Sequence, residues 1–217
     1  LTLNPEMVEA TANLGVALMD LTFSSQNNIL YPMLINLLTS GNFVRPRAVA
    51  RSISSLLKQD SLIKELLAEK NIAGNNSKIT PTIEILDKLP LLHHLMRVSP
   101  LPDLELEGLF VEVRRALLKH LDEFEESLAT VYFLSTLSLH CFTNEYVYFQ
   151  SNEESQQIED LELKIKDSLV QGKQPELLEV LCFATYRPLH YYDWCEKLVV
   201  LDKLTEVKER LIEQPLA

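Results

Sequence analysis

Between Leu128 and Phe142 the chain carries no charged side chain, and its only polar groups are hydroxyls, a thiol and one histidine. This run lies inside the stretch 124–149, Phe-Glu-Glu-Ser-Leu-Ala-Thr-Val-Tyr-Phe-Leu-Ser-Thr-Leu-Ser-Leu-His-Cys-Phe-Thr-Asn-Glu-Tyr-Val-Tyr-Phe. A surface helix shows one apolar stripe, whereas a helix apolar around its circumference must be wrapped by other elements. Residues 124–146 are therefore expected to form a buried helix around which the rest of the chain is organised. A membrane span is not expected. The run from Leu128 to Phe142 falls short of the roughly 18 to 20 residues that cross a bilayer, and Thr130, Ser135, Thr136 and Ser138 make it too polar.

On either side the apolar residues recur at helical spacing, and no segment alternates for long enough to demand a strand. The first helix is expected from about Asn4, with Pro5 in its first turn. Tyr31-Pro32 is expected to interrupt a second helix within Asn27–Ser40. Pro46 opens a helix with Ala48, Ile53, Leu56 and Leu57 inward and Arg45, Arg47, Arg51 and Lys58 outward. The arginines suit either an acidic partner or a solvated face. Ser61 to Ile72 follows, and Ala73-Gly74-Asn75-Asn76-Ser77 is the clearest polar loop, which sets a subdomain boundary there. Thr80-Pro81 is read as a cap and start, Pro90 as another start, and Ser99-Pro100-Leu101-Pro102 as an extended linker. Asp103 caps an amphipathic helix whose stripe is Leu106, Leu109, Phe110, Val113, Leu117 and Leu121, with Glu105, Glu107, Glu112, Arg114, Arg115 and Lys119 facing water. Only a short acidic turn separates it from the central stretch, so the two should pair as an antiparallel hairpin. Asn152 to Val170 is acidic first and basic later, as the helix dipole favours, and Gly172 ends it. Helices over Leu177–Thr185, Tyr191–Leu201 and Leu204–Ile212 complete an all-α fold, a multi-helix bundle or repeat-like array of about ten helices.

Several classes of function are disfavoured by composition. A formal net charge of −11 opposes sequence-independent binding to nucleic acid and to anionic membrane surfaces. The five glycines, Gly15, Gly41, Gly74, Gly108 and Gly172, are never clustered enough to cradle a phosphate or nucleotide. Three cysteines, Cys141, Cys182 and Cys195, are an odd number in apolar context and imply reduced thiols and a cytoplasmic setting. No basic region followed by an apolar run opens the chain, so no signal peptide is expected, and Leu1 need not be the native start.

No catalytic, cofactor-binding or metal-binding residue is assigned. His93 and His94 are adjacent and point about 100° apart on a helix, which suits no shared metal. His140 with Cys141, and His190 with Cys195, also miss ligand spacing. The thiols read as buried and inert. Glu145, beside Asn144 just past the apolar run, is the one carboxylate singled out. It is read as an active-site acid or as a polar anchor for helix ends, with the anchor preferred. Tyr186, Tyr191, Tyr192 and Trp194 form either a binding surface or core.

Asn-Leu-Gly at 13–15, after Asn4-Pro5 and Ala10, resembles the first helix of a tetratricopeptide repeat, in which Gly15 would let a second helix pack closely. Together with Leu101-Pro102-Asp103-Leu104-Glu105-Leu106-Glu107, Arg114-Arg115-Ala116-Leu117-Leu118, Cys141-Phe142-Thr143-Asn144-Glu145-Tyr146-Val147 and Tyr186-Arg187-Pro188-Leu189, these words resemble one region of tetratricopeptide-repeat proteins that end in a class I S-adenosylmethionine-dependent methyltransferase domain. The resemblance is strongest over 100–215. It implies a degenerate repeat-like segment over 1–72 and an all-helical module over 80–217, with the catalytic domain and its S-adenosylmethionine following in a longer parent. The chain itself lacks the glycine-rich strand-loop-helix that such a cofactor needs. The partner implied is a protein or the adjoining methyltransferase domain. Competing readings are a stand-alone acidic helical scaffold or adaptor, and a helical enzyme using Glu145 with His140.

Overall fold

The computed structural model describes residues 8–19, 21–39, 44–69, 74, 78–124 and 126–199. Among them the chain forms ten α-helices and no strand. These are α1 (Val8–Leu18), α2 (Tyr31–Thr39), α3 (Pro46–Leu57), α4 (Ser61–Ala68), α5 (Ile79–Asp87), α6 (Pro90–Val98), α7 (Leu104–Lys119), α8 (Leu128–Thr143), α9 (Asn152–Val170) and α10 (Leu177–Ala184). The expected start near Asn4 and the helix over Leu204–Ile212 lie outside the described residues.

Local signals set most of the boundaries. Pro46 and Pro90 occupy first turns, where the missing amide is not needed. Asp60 caps α4 by accepting from the Leu62 amide, and Asp103 caps α7 by accepting from Glu105 and Leu106. Ser151 and Glu154 form a reciprocal capping box at the start of α9. At its end, Gly172 adopts φ +73° while Lys173 N donates to Ser168 O at 2.9 Å and Gly172 N to Leu169 O at 3.1 Å. That is a Schellman stop with glycine in the left-handed position.

Three local expectations are corrected. Tyr31-Pro32 begins α2 rather than interrupting it, because proline in a first turn sacrifices no helical hydrogen bond. Thr80 does not cap α5, which begins one residue earlier at Ile79 with Pro81 still in its first turn. The helix expected over Tyr191–Leu201 is not formed by its described residues, 191–199. Leu189–Tyr191 and Asp193–Lys197 form two short 3-10 turns, with Trp194 buried between them and the core.

One apolar core runs from Leu18 through Leu34, Ile53, Leu91, Phe110 and Leu137 to Leu178, drawing residues from both sides of 73–77. A second cluster joins Leu118, Ile158, Ile165, Phe183, Tyr186 and Trp194. α8 lies against α5, α6 and α10, while α2 and α3 also pack on α6. Tyr132, Phe133, Leu134 and Leu137 are fully buried, each contributing about 1.5–3 kcal/mol of burial. The wrapping is incomplete, however: Leu128 (45%), Leu139 (45%) and Phe142 (54%) remain exposed along one face. Nor do α7 and α8 form a close antiparallel hairpin. A 3-10 turn at Leu121–Glu123 and extended Phe124 redirect the chain, so that α7 packs chiefly on α4, α5 and α9. It meets α8 through Phe110, whose ring lies 6.5 Å from Phe133 and 5.9 Å from His140.

Candidate functional site

The two residues singled out by sequence sit at the C-terminal end of α8. Asn144 is the C-cap. Glu145 and Tyr146 follow with φ 53° and 55°, left-handed values that cost a residue with a Cβ about 1–2 kcal/mol. Glu145 N donates to Phe142 O at 3.1 Å and Tyr146 N to Cys141 O at 2.8 Å. This is the same Schellman stop that ends α9, built here with glutamate where glycine is usual. The Glu145 side chain is exposed and makes no side-chain bond among the described residues. Its contribution is a backbone conformation. Tyr146 is half-buried, and its hydroxyl reaches Ala184 O at 3.4 Å.

Beneath this turn lies a buried polar network that sequence reasoning missed. Arg114 was expected to face water, yet it is only 2% exposed. Its guanidinium stacks 4.0 Å from the centroid of the Tyr186 ring and donates to Phe149 O at 2.8 Å and Thr185 O at 3.3 Å. Burial is tolerated because carbonyl oxygens and an aromatic face surround the charge. A signal was present: Arg114 lies four residues after Phe110 and three before Leu117, in phase with the inward stripe.

Glu154, 2% exposed, closes the network from α9. It accepts from Tyr186 Oη at 2.9 Å, from Ser151 N at 2.8 Å and from Arg115 Nη2 at 3.4 Å. Desolvation pushes its carboxyl upward, but the Ser151 amide and the Tyr186 hydroxyl outweigh that and hold it below its ordinary value. Tyr186 itself is pushed far above the usual phenol range by burial. The capping-box word Ser-x-x-Glu at 151–154 was legible in the sequence. The Tyr186 bond was not.

On the other side of Cys141, His140 is fully buried and bridges two elements. Nδ1 lies 3.0 Å from Met96 O, which only accepts, so Nδ1 carries the proton and Nε2 accepts from Tyr148 Oη at 2.6 Å. Burial lowers its pKa to about 4. The Glu145 carboxylate shares no bond with this imidazole. His93 is likewise buried, between Leu86 O and Thr136 Oγ1 at 3.2 Å each. His94 is buried too, with its pKa lowered by desolvation and by Arg97.

Burial drives the Cys141 thiol up to about 12, against a downward pull from Arg114, and drives Cys182 to about 12 as well. A thiol that stays protonated at neutral pH is a poor nucleophile. Of the four clustered aromatics, Tyr186 and Trp194 are buried and Tyr192 is half-buried, while Tyr191 is 76% exposed. Tyr191 continues a surface strip: His190 lies 5.8 Å from Phe142 and 4.2 Å from Tyr191, centroid to centroid. Among the described residues no group of three or more His, Cys, Asp or Glu is placed to hold a metal ion, and no helix is long and apolar enough to cross a membrane.

The chain matches no family model, no curated protein and no solved structure.

Proposed function

We propose that the chain is a non-catalytic helical module of a larger protein, coupling recruitment of a protein substrate by tetratricopeptide repeats to a downstream S-adenosylmethionine-dependent methyltransferase domain. The parent class rests on the sequence resemblance. The interaction role rests on one structural observation, the apolar strip of Leu139, Phe142, His190 and Tyr191 at the C-terminal end of α8. A core helix that leaves Leu139 and Phe142 half in water is stabilised by any surface that covers them, at about 25 cal/mol per Å² of apolar area. The buried polar groups around it support the same role. Arg114, Glu154, Tyr186 and His140 are committed to bonds that brace α7, α8, α9 and the segment after α10. They hold the strip rigid, which lowers the entropy cost of docking.

Hydrogen exchange on the parent protein and on this chain alone provides the test. Slower exchange at 139–149 and 189–191 in the parent is the expected result. Equal protection in both would mean that the strip is not the docking face. Calorimetric titration of this chain with S-adenosylmethionine should show no binding, and micromolar affinity would overturn the non-catalytic assignment.

A further inference from the structure

Arg47 and Arg51 stand one turn apart on α3, both exposed, and among the described residues neither makes an ion pair or side-chain hydrogen bond. Lys58, Lys78, Arg115, Lys164 and Lys166 are each paired with a carboxylate, whereas Arg47 and Arg51, like Arg45 beside them, are not. In a chain with a formal net charge of −11, two free guanidiniums on one helical face are a local reversal of sign. Both line a cleft of about 450 Å³. Thr22 contributes a hydroxyl to it, and Met19, Pro100 and Pro102 contribute apolar walls.

The walls are fixed to one another. Ser52 Oγ donates to Leu18 O, and Phe23 N donates to Ser55 Oγ at 3.0 Å, which ties the segment after α1 to α3. Lys58 Nζ reaches Asp103 Oδ2 at 3.0 Å, which ties the far end of α3 to the end of the 99–102 linker. Pro100 and Pro102 stiffen that linker themselves.

From this arrangement we infer that the cleft binds a compact phosphomonoester carried on a small apolar body. Residues four apart on a helix hold their Cβ atoms about 5–6 Å apart, so two guanidiniums can close on one tetrahedral oxyanion. The planar fork of each donates two parallel hydrogen bonds to such a group. The proline and methionine walls account for the apolar body, and the volume lies within the roughly 300–1,000 Å³ of small-molecule sites. Long polyanions are disfavoured, because the acidic field of the whole chain repels them beyond the reach of two arginines. The inference is independent of the methyltransferase reading and would survive its failure. The phosphomonoester has two possible sources, a free small molecule or a phosphorylated side chain in a peptide.

Titration of the chain with phenyl phosphate, followed by calorimetry and by amide chemical shifts, tests the site. Saturable one-to-one binding is expected with a Kd on the order of 0.1–1 mM at low salt, with shifts centred on Thr22, Arg47 and Arg51. The double variant Arg47→Gln/Arg51→Gln should weaken binding by about tenfold or more. Arg45→Gln, outside the cleft, should leave it unchanged. Inorganic phosphate should bind more weakly than phenyl phosphate, since it leaves the apolar walls unused. A phosphoserine heptapeptide binding more tightly than phenyl phosphate would identify a peptide source, and the reverse order a free small molecule. Either order supports the cleft. No saturable binding up to about 10 mM, or equal affinity in the double variant that retains the wild-type melting temperature, would overturn it.

Discussion

Replacing Arg114 by methionine asks whether a buried guanidinium braces this fold or merely survives in it. Methionine refills most of the stem and removes the charge. Three favourable terms are lost: a charge-assisted bond to Phe149 O at 2.8 Å, a longer one to Thr185 O at 3.3 Å, and stacking at 4.0 Å over Tyr186. The first contributes about 2 kcal/mol, the second about 1, and the third about 1–2. Against them stands the desolvation penalty that disappears with the charge, the more so because Arg114 Nε has no acceptor. The carbonyls of Phe149 and Thr185 would stay near an apolar side chain without their donors, which leaves a net destabilisation of about 2–3 kcal/mol. Urea unfolding followed by circular dichroism measures it. Exchange should also quicken first at 148–151 and 185–187, the segments the guanidinium joins. A variant as stable as the parent chain, or more stable, would refute the bracing role and place Arg114 among buried charges that hydrophobic replacement improves.

Further outcomes follow from the neighbouring residues. Glu145→Gly relieves a left-handed strain without losing a side-chain contact and should raise stability by about 1 kcal/mol, read as a higher urea midpoint; a lower midpoint would show that the side chain matters. His140 has a folded pKa of about 4 against an ordinary 6.5, so the unfolded chain takes up the proton first. Stability is then complete above pH 6.5 and is lost as pH falls toward 4, by about 2 kcal/mol between pH 7 and pH 5. In His140→Gln that slope should flatten, with the contribution of His94, which has the same direction, remaining. An unchanged slope would assign the acid sensitivity elsewhere. Leu134→Asp places a charge at a fully buried position and should abolish the cooperative transition in thermal melts; a folded variant would contradict the placement of α8 at the core.

The parts of this fold that were legible in the sequence are those decided within one turn of chain. Asp103, Pro46, Pro90 and Gly172 act on backbone groups beside them, and each marks a helix end where expected. The apolarity of 128–142 likewise identified α8 as a core element. What the sequence hid was decided by partners far along the chain. Arg114 looked solvent-facing because charge outweighed its phase, yet the groups that hold it come from residues 149, 185 and 186. The pairing of α7 with α8 failed because a 3-10 turn, not connection length, set the direction of α8. Glu145 drew notice as a carboxylate, whereas its structural contribution lies in φ, which side-chain chemistry does not announce.

The central claim, a non-catalytic module joined to a methyltransferase, is tested most directly by sequencing the transcript beyond codon 217. The expected result is an open frame that encodes a class I methyltransferase domain, with a glycine-rich loop between a strand and a helix. An in-frame stop codon shortly after Ala217 would contradict it.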